Sequence, residues 1–191
     1  MAKKSKKKKK NRKKKSGAIS CKNSVTAAIV KESSEITALS TNADDQFERI
    51  YKILAVEISE YEDDDDDKAA VSYENLEKYL KYLKKEIHLP VIVTGIEDMG
   101  CFRWEEYYNF GQGNKAEYEN LKKKYPSFRD KYLLLSIIEE FDEDEGLYAE
   151  VQRISDKKKF TLTLADLETV EKKTKNSILL EDYAVWQTNF R

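Results

Sequence analysis

Seven carboxylates fall within twelve residues: Glu139, Glu140, Asp142, Glu143, Asp144, Glu145 and Glu150. Carboxylates packed this densely repel one another, and a divalent cation relieves that repulsion. Ca²⁺ suits such a cluster because it takes roughly six to eight oxygens in irregular geometry. The cluster bridges two predicted strands, so a hairpin loop should fold the acids together. Asp142 and Asp144 are the foremost candidate ligands, since a short side chain holds its oxygens near the backbone. Glu139, Glu143 or Glu145 could complete the site with waters and backbone carbonyls. The alternative is a plain solvated acidic loop. An EF-hand is excluded: with Gly146 at its sixth position, the first would be Phe141 and the twelfth Gln152, and neither offers a carboxylate.

Other chemistry finds little support. The run Asp63 to Asp67 is a second cation candidate, but uninterrupted acids bind cations diffusely. His88 is the only histidine, and two cysteines with one distant histidine cannot build a four-ligand zinc site. Cys101 stands beside Arg103, which could lower its pKa; a buried, inert thiol is the competing reading. No phosphate loop, dinucleotide fingerprint or nucleophile elbow is present. The expectation is a protein that is not an enzyme.

The net charge of −1 conceals a division. Lys3 to Lys15 holds eleven basic residues and no acid, leaving 24 basic against 36 acidic residues elsewhere, a balance of −12. Such a tail can bind RNA or another polyanion through counterion release, with little sequence preference, and it has no interleaved aromatics. No apolar run approaches membrane-spanning length, and no apolar segment of a secretory signal follows the basic stretch. With only two cysteines, a reducing cytoplasm is expected.

The positioning elements follow from periodicity. Residues 1–16 read as a disordered polybasic tail, 17–43 as a linker, and 44–191 as a single α+β domain. Phe47, Ile50, Tyr51, Leu54, Ala55 and Ile58 predict a helix over 44–60, capped by Asn42 or Asp44. Glu62 to Asp67 should form an exposed loop. Ser72 then caps a helix with the stripe Tyr73, Leu76, Leu80, Leu83 and Ile87. Val91 to Val93 reads as a strand, and Trp104 to Phe110 as another extended piece. Asn114 begins a short helix that stops at Pro126. Tyr132 to Ile138 is a strand, and 147–154 with 159–164 a hairpin. A last amphipathic segment carries Leu179, Leu180, Tyr183 and Trp186. The predicted architecture is N-terminal helices packed on a small, mostly antiparallel curled sheet or SH3-like half-barrel, with a C-terminal helical segment.

Three stretches carry a resemblance. They are Tyr79-Leu80 through Leu83 into His88-Leu89-Pro90 and a strand, Phe160-Thr-Leu-Thr-Leu-Ala-Asp-Leu-Glu168, and Asp182-Tyr183-Ala-Val-Trp186. In order and spacing, residues 45–191 resemble the bacterial calcium-binding family typified by a small acidic cyanobacterial protein. The segment Gly100 to Tyr125 is longer than that pattern, and the Lys-rich tail has no counterpart in it. The resemblance implies a cytoplasmic calcium buffer or sensor; the candidate ligands themselves rest on clustering. The alternative is a nucleic-acid- or ribosome-associated protein anchored by its tail. Because the tail's charge density forbids apolar burial, deleting residues 1–16 should leave the melting temperature unchanged. The same deletion should weaken heparin and RNA binding, and a cooperative loss of structure would contradict this reading.

Overall fold

The computed structural model describes residues 43–56, 68–97 and 99–191. The expected tail, the linker up to residue 42 and the acid run Glu62 to Asp67 lie outside those residues.

The first helix, α1 (Ala43–Leu54), carries Asp44 and Asp45 in its first turn, where acids favour the positive end of the helix dipole. Asp44 is thus inside the helix rather than its cap. The helix ends earlier than its apolar spacing suggested. Ala55 adopts a left-handed φ of 57°, and the Val56 and Ala55 N–H groups return to the Tyr51 and Lys52 carbonyls at 2.9 and 3.3 Å. That pattern is a Schellman stop. Helix α2 (Tyr73–Glu86) is capped by Ser72, whose side chain accepts the Asn75 N–H. Leu76, Tyr79, Leu80 and Leu83 form its buried face, while Tyr73 at the predicted stripe's start is exposed.

A five-stranded antiparallel sheet follows, curled and unclosed. Its strands are β1 (Val91–Gly95), β2 (Lys131–Asp142), β3 (Gly146–Arg153), β4 (Lys159–Thr163) and β5 (Leu167–Thr169), in the order β4-β3-β2-β1-β5. The predicted hairpin is β3–β4, with Val151 opposite Phe160 and Ala149 opposite Leu162. Leu147, Ala149, Val151, Leu162 and Leu164 are buried. Phe160 is half-buried, with the Arg153 guanidinium 5.1 Å from its ring centre. Strand β5 was not expected: Asp166 to Glu168 read as the close of the hairpin, but Leu167 to Thr169 pair with β1.

The excursion between β1 and β2 corrects another expectation. Trp104 to Phe110 is not extended. A 3₁₀ turn at Gly100–Glu105 runs into the short helix α3 (Glu106–Asn109), and α4 (Lys115–Lys122) follows. Aromatic residues favour strands, but Trp104, Tyr107 and Tyr108 recur at spacings of three and four, which is the helical period. Asn114 caps α4 by accepting the Ala116 and Glu117 N–H groups at 2.8 and 3.4 Å.

The C-terminal helix α5 (Lys175–Asn189) is a core element rather than an amphipathic cover. Asn176 to Leu180 are five consecutive buried residues, which span the whole helix circumference. Trp186 stacks on Tyr79 at 4.5 Å and donates its indole N–H to the Ala69 carbonyl. Asp182, also buried, receives the Arg49 guanidinium through two bonds of 2.7 and 2.8 Å, joining α1 to α5. The His88 backbone N–H and carbonyl both bond the Asn176 side chain, joining the end of α2 to α5.

Val151 is fully buried in the centre of this core. Val151→Asp should therefore destabilise the fold by about 3 kcal/mol or more, because an unpaired carboxylate loses its hydration. Chemical denaturation measures it, and a near-neutral effect would contradict the burial.

Candidate metal centre

The acidic loop is the three-residue connection between β2 and β3. Asp142 pairs with Gly146, leaving Glu143, Asp144 and Glu145 at the tip. Asp142 Oδ1 accepts the Asp144 and Glu145 N–H groups at 2.8 and 3.2 Å, an Asx arrangement that shapes the turn. Gly146 closes it with a left-handed φ of 80°, which glycine tolerates without a steric penalty.

The five expected ligands take different directions. Glu139 forms an exposed ion pair with Lys84 at 2.9 Å; a hydrogen bond from this lysine, more than its charge, holds the Glu139 pKa down. It is turned from the tip by an irregularity that sets Ile138, Glu139 and Glu140 opposite Tyr148 alone. Glu143 accepts the Tyr73 N–H at 2.7 Å and so sits on the N-terminus of α2, where its charge meets the helix dipole. Asp142 is committed to the turn. Only Asp144 and Glu145 face a cleft. Among the described residues, no three Asp, Glu, His or Cys side chains lie in an arrangement that could hold a metal ion.

The cleft has a volume of about 560 Å³. Asp144 and Glu145 form one wall; Gly100, Cys101, Arg103 and Asp166 form another; Gln187 and Arg191 close it from the α5 side. Asp166 is 5% exposed, and its Oδ2 accepts the Cys101 N–H at 3.2 Å. Burial raises its pKa against the hydrogen bonds from Cys101; the nearby Glu145 charge adds to the rise, and Arg191 opposes it. Gly100 is what lets Asp166 lie here, since a Cβ on it would sit 2.1 Å from the carboxylate oxygen. The Cys101 thiol is pushed up to about 12, first by burial and then by Asp166. The lowered pKa considered beside Arg103 is therefore reversed.

Gln187 is 2% exposed, and neither its Oε1 nor its Nε2 has a hydrogen-bond partner. A buried unpaired amide is costly, so this one stands out in the cleft wall. Arg191 crosses the cleft mouth and donates to the Asp144 carbonyl. Glu145 accepts the Tyr148 hydroxyl at 2.7 Å, and that bond pushes the tyrosine up to about 12. Asp144, Glu145, Asp166 and Gln187 all contribute to the lining of this one cleft, but as they stand the three carboxylates do not form a metal-holding group. Asp166 and Gln187 escaped the sequence reading because both belong to regions distant from the acid cluster. Asp166 does lie in the Phe160–Glu168 stretch that carried the resemblance, which was the available signal.

No family model matches this chain, and no curated protein matches it. Among solved structures, one described as "Calcium binding protein in the calcium-binding form" aligns at 15% identity, covering 78% of this chain and 94% of that one, with a TM-score of 0.43. A likeness of that size carries no assignment.

Asp166 supplies a pH test. Its folded pKa is raised, so the folded state holds the proton more tightly than the unfolded chain does. Its contribution favours folding below the ordinary aspartate range and is lost as pH rises through the folded value. Asp166→Asn keeps an acceptor for Cys101 and removes the charge. In the presence of a chelator it should stabilise the protein at pH 7, with the gain shrinking toward pH 4. Denaturation at both pH values checks this, and an equal effect at each would contradict it.

Proposed function

We propose that the protein is a non-enzymatic cytoplasmic calcium-binding protein, a buffer or sensor, whose β2–β3 loop closes on the ion. The observation that carries the reading is the buried, unpaired amide of Gln187, a residue in the wall of the cleft that Asp144, Glu145 and Asp166 also line. An orphaned carbonyl beside three carboxylates gains a partner when a hard cation enters. The ion displaces the Arg191 guanidinium, whose positive charge occupies the cleft mouth. Asp144 and Glu145 then swing toward Asp166, while the Asx turn at Asp142 acts as the hinge support. Mg²⁺ binds more weakly, because a closing loop does not impose a tight octahedron.

This reading revises the relative importance of the five loop acids. Asp144 and Glu145 are ligands, Asp142 shapes the turn, and Glu139 and Glu143 tie the strand and loop to α2.

Calorimetric titration of the full chain with CaCl₂ tests it. The double variant Asp144→Asn, Glu145→Gln should lower Ca²⁺ affinity by about tenfold or more, since two charged ligands are lost. Gln187→Leu should also weaken binding while leaving the apo fold intact or more stable, because an unpaired buried amide is removed. Glu139→Gln and Glu143→Gln should titrate like the parent. Parental affinity in the double variant, or no calcium heat in the parent, would remove the assignment.

A further inference from the structure

The excursion between β1 and β2 carries aromatic surface that the core does not use. Helices α3 and α4 contain no buried residue, yet this region holds Trp104, Tyr107, Tyr108, Phe110, Tyr118 and Tyr125. Tyr107 and Tyr125 are each 53% exposed and Phe110 is 73% exposed. Trp104, Tyr107, Tyr108, Leu121 and Tyr125 line a groove of about 330 Å³. Its walls are rings set edge to face: Tyr107 meets Tyr108 at 5.1 Å and 87°, and Trp104 meets Tyr108 at 6.1 Å and 69°.

The walls are held from behind. The Trp104 indole N–H donates to the Pro126 carbonyl at 2.9 Å, which fixes its edge. Glu105 is 1% exposed; its carboxylate accepts the Tyr118 hydroxyl at 2.6 Å and the Phe128 N–H at 2.9 Å. Buried Arg153 donates to the carbonyls of Lys122, Tyr125 and Lys123 at 2.7, 3.1 and 3.3 Å, seating the end of α4 on the sheet. A groove this well supported is ready to receive a flat ring without reorganising.

Along the chain, Lys122, Lys123 and Lys124 lie between the lining residues Leu121 and Tyr125. Lys158 donates to the Lys123 carbonyl, and the Lys123 ammonium bonds Asn120 at 3.3 Å. Lys122 already stands 5.4 Å over the Tyr118 ring. Several nearby acids are engaged elsewhere: Asp130 and Asp156 pair with Arg153, and Glu106 lies 3.7 Å from Arg103. Glu117 and Glu119 remain on α4, and Glu117 bonds the Tyr108 hydroxyl.

We propose that this groove stacks the unpaired bases of a single-stranded nucleic acid, with Lys122, Lys123 and Lys124 on its phosphates. Bases offer flat faces to the rings, and phosphates offer charge to the lysines. A duplex hides those faces, and an apolar peptide leaves the lysines unmatched. The assignment is independent of calcium binding. It adds to the eleven basic residues of the tail, which attract any polyanion, a surface that distinguishes unpaired bases.

Intrinsic fluorescence reads the site directly. The chain has two tryptophans, and Trp186 is fully buried, so quenching by a stacked base reports Trp104. The full chain is titrated with a twelve-nucleotide oligouridine, a matched RNA duplex and heparin. The single strand should quench, while the duplex and heparin bind without quenching. Tyr107→Ala with Tyr125→Ala should reduce single-strand affinity by about tenfold and leave heparin affinity unchanged. Unchanged single-strand affinity in this variant, or an equal loss toward heparin, would overturn the proposal. So would quenching by a lysine-rich peptide with none by the oligonucleotide, which would make the groove a cation-binding protein interface.

Discussion

The Tyr183 hydroxyl accepts the Leu147 N–H at 2.7 Å inside the core, and the geometry of the acidic end depends on that joint. It ties the first residues of β3 to the middle of α5. Gly146 makes the approach possible: a Cβ there would lie 2.5 Å from the Tyr183 oxygen and 2.8 Å from the Gln187 amide carbon. One missing side chain therefore brings the loop, the helix and the unpaired amide together. Burial pushes the Tyr183 pKa up, so the hydroxyl keeps its proton and the joint does not titrate at neutral pH.

Two buried ion networks hold the remaining elements. Asp182 receives Arg49 at 2.7 Å and Gln46 at 3.0 Å, fastening α1 across α5. Arg153 receives support from Asp130 and Asp156 and spends its other N–H groups on carbonyls near the end of α4. The bond from Arg153 is the main reason that the Asp156 pKa falls to about 2. Breaking a buried pair leaves an uncompensated charge, so these networks specify geometry more than they add net stability. The second one positions α4, which has no buried residue of its own, whereas α1 also buries Ile50 and Leu54 in the core.

The molecule thus separates two kinds of surface. Oxygen donors gather where the β2–β3 loop meets α5 and the turn at Asp166. Rings and lysines gather around α3 and α4, where Arg153 and Glu105 supply the support. The second surface is built largely from the longer Gly100 to Tyr125 segment, and the first from residues within the stretches that carried the family resemblance and the acid cluster. A segment added between two strands can extend outward without disturbing the sheet, because its ends remain fixed by β1 and β2.

The sequence by itself determined the α+β class, the α2 stripe and its Ser72 cap, and the β3–β4 hairpin. In each case the signal is local: period 3.6, a capping side chain, or period 2 with a turn between. It also located the acid cluster, since composition needs no fold to be seen. Only the tertiary structure decided which acids face one another. Asp142 is taken by its own loop amides, Glu143 by the α2 N-terminus and Glu139 by Lys84, and spacing along the chain carries none of that information. Asp166 and Gln187 line one cleft with Asp144 and Glu145, although the segments lie twenty and more residues apart. The same reason explains why Trp104 to Phe110 looked extended and why β5 was missed. A short segment's conformation is set by what it packs against, and the Phe102 ring and the Phe128 backbone that crowd Gly95, like the β1 edge that pairs Leu167 to Thr169, come from elsewhere in the chain.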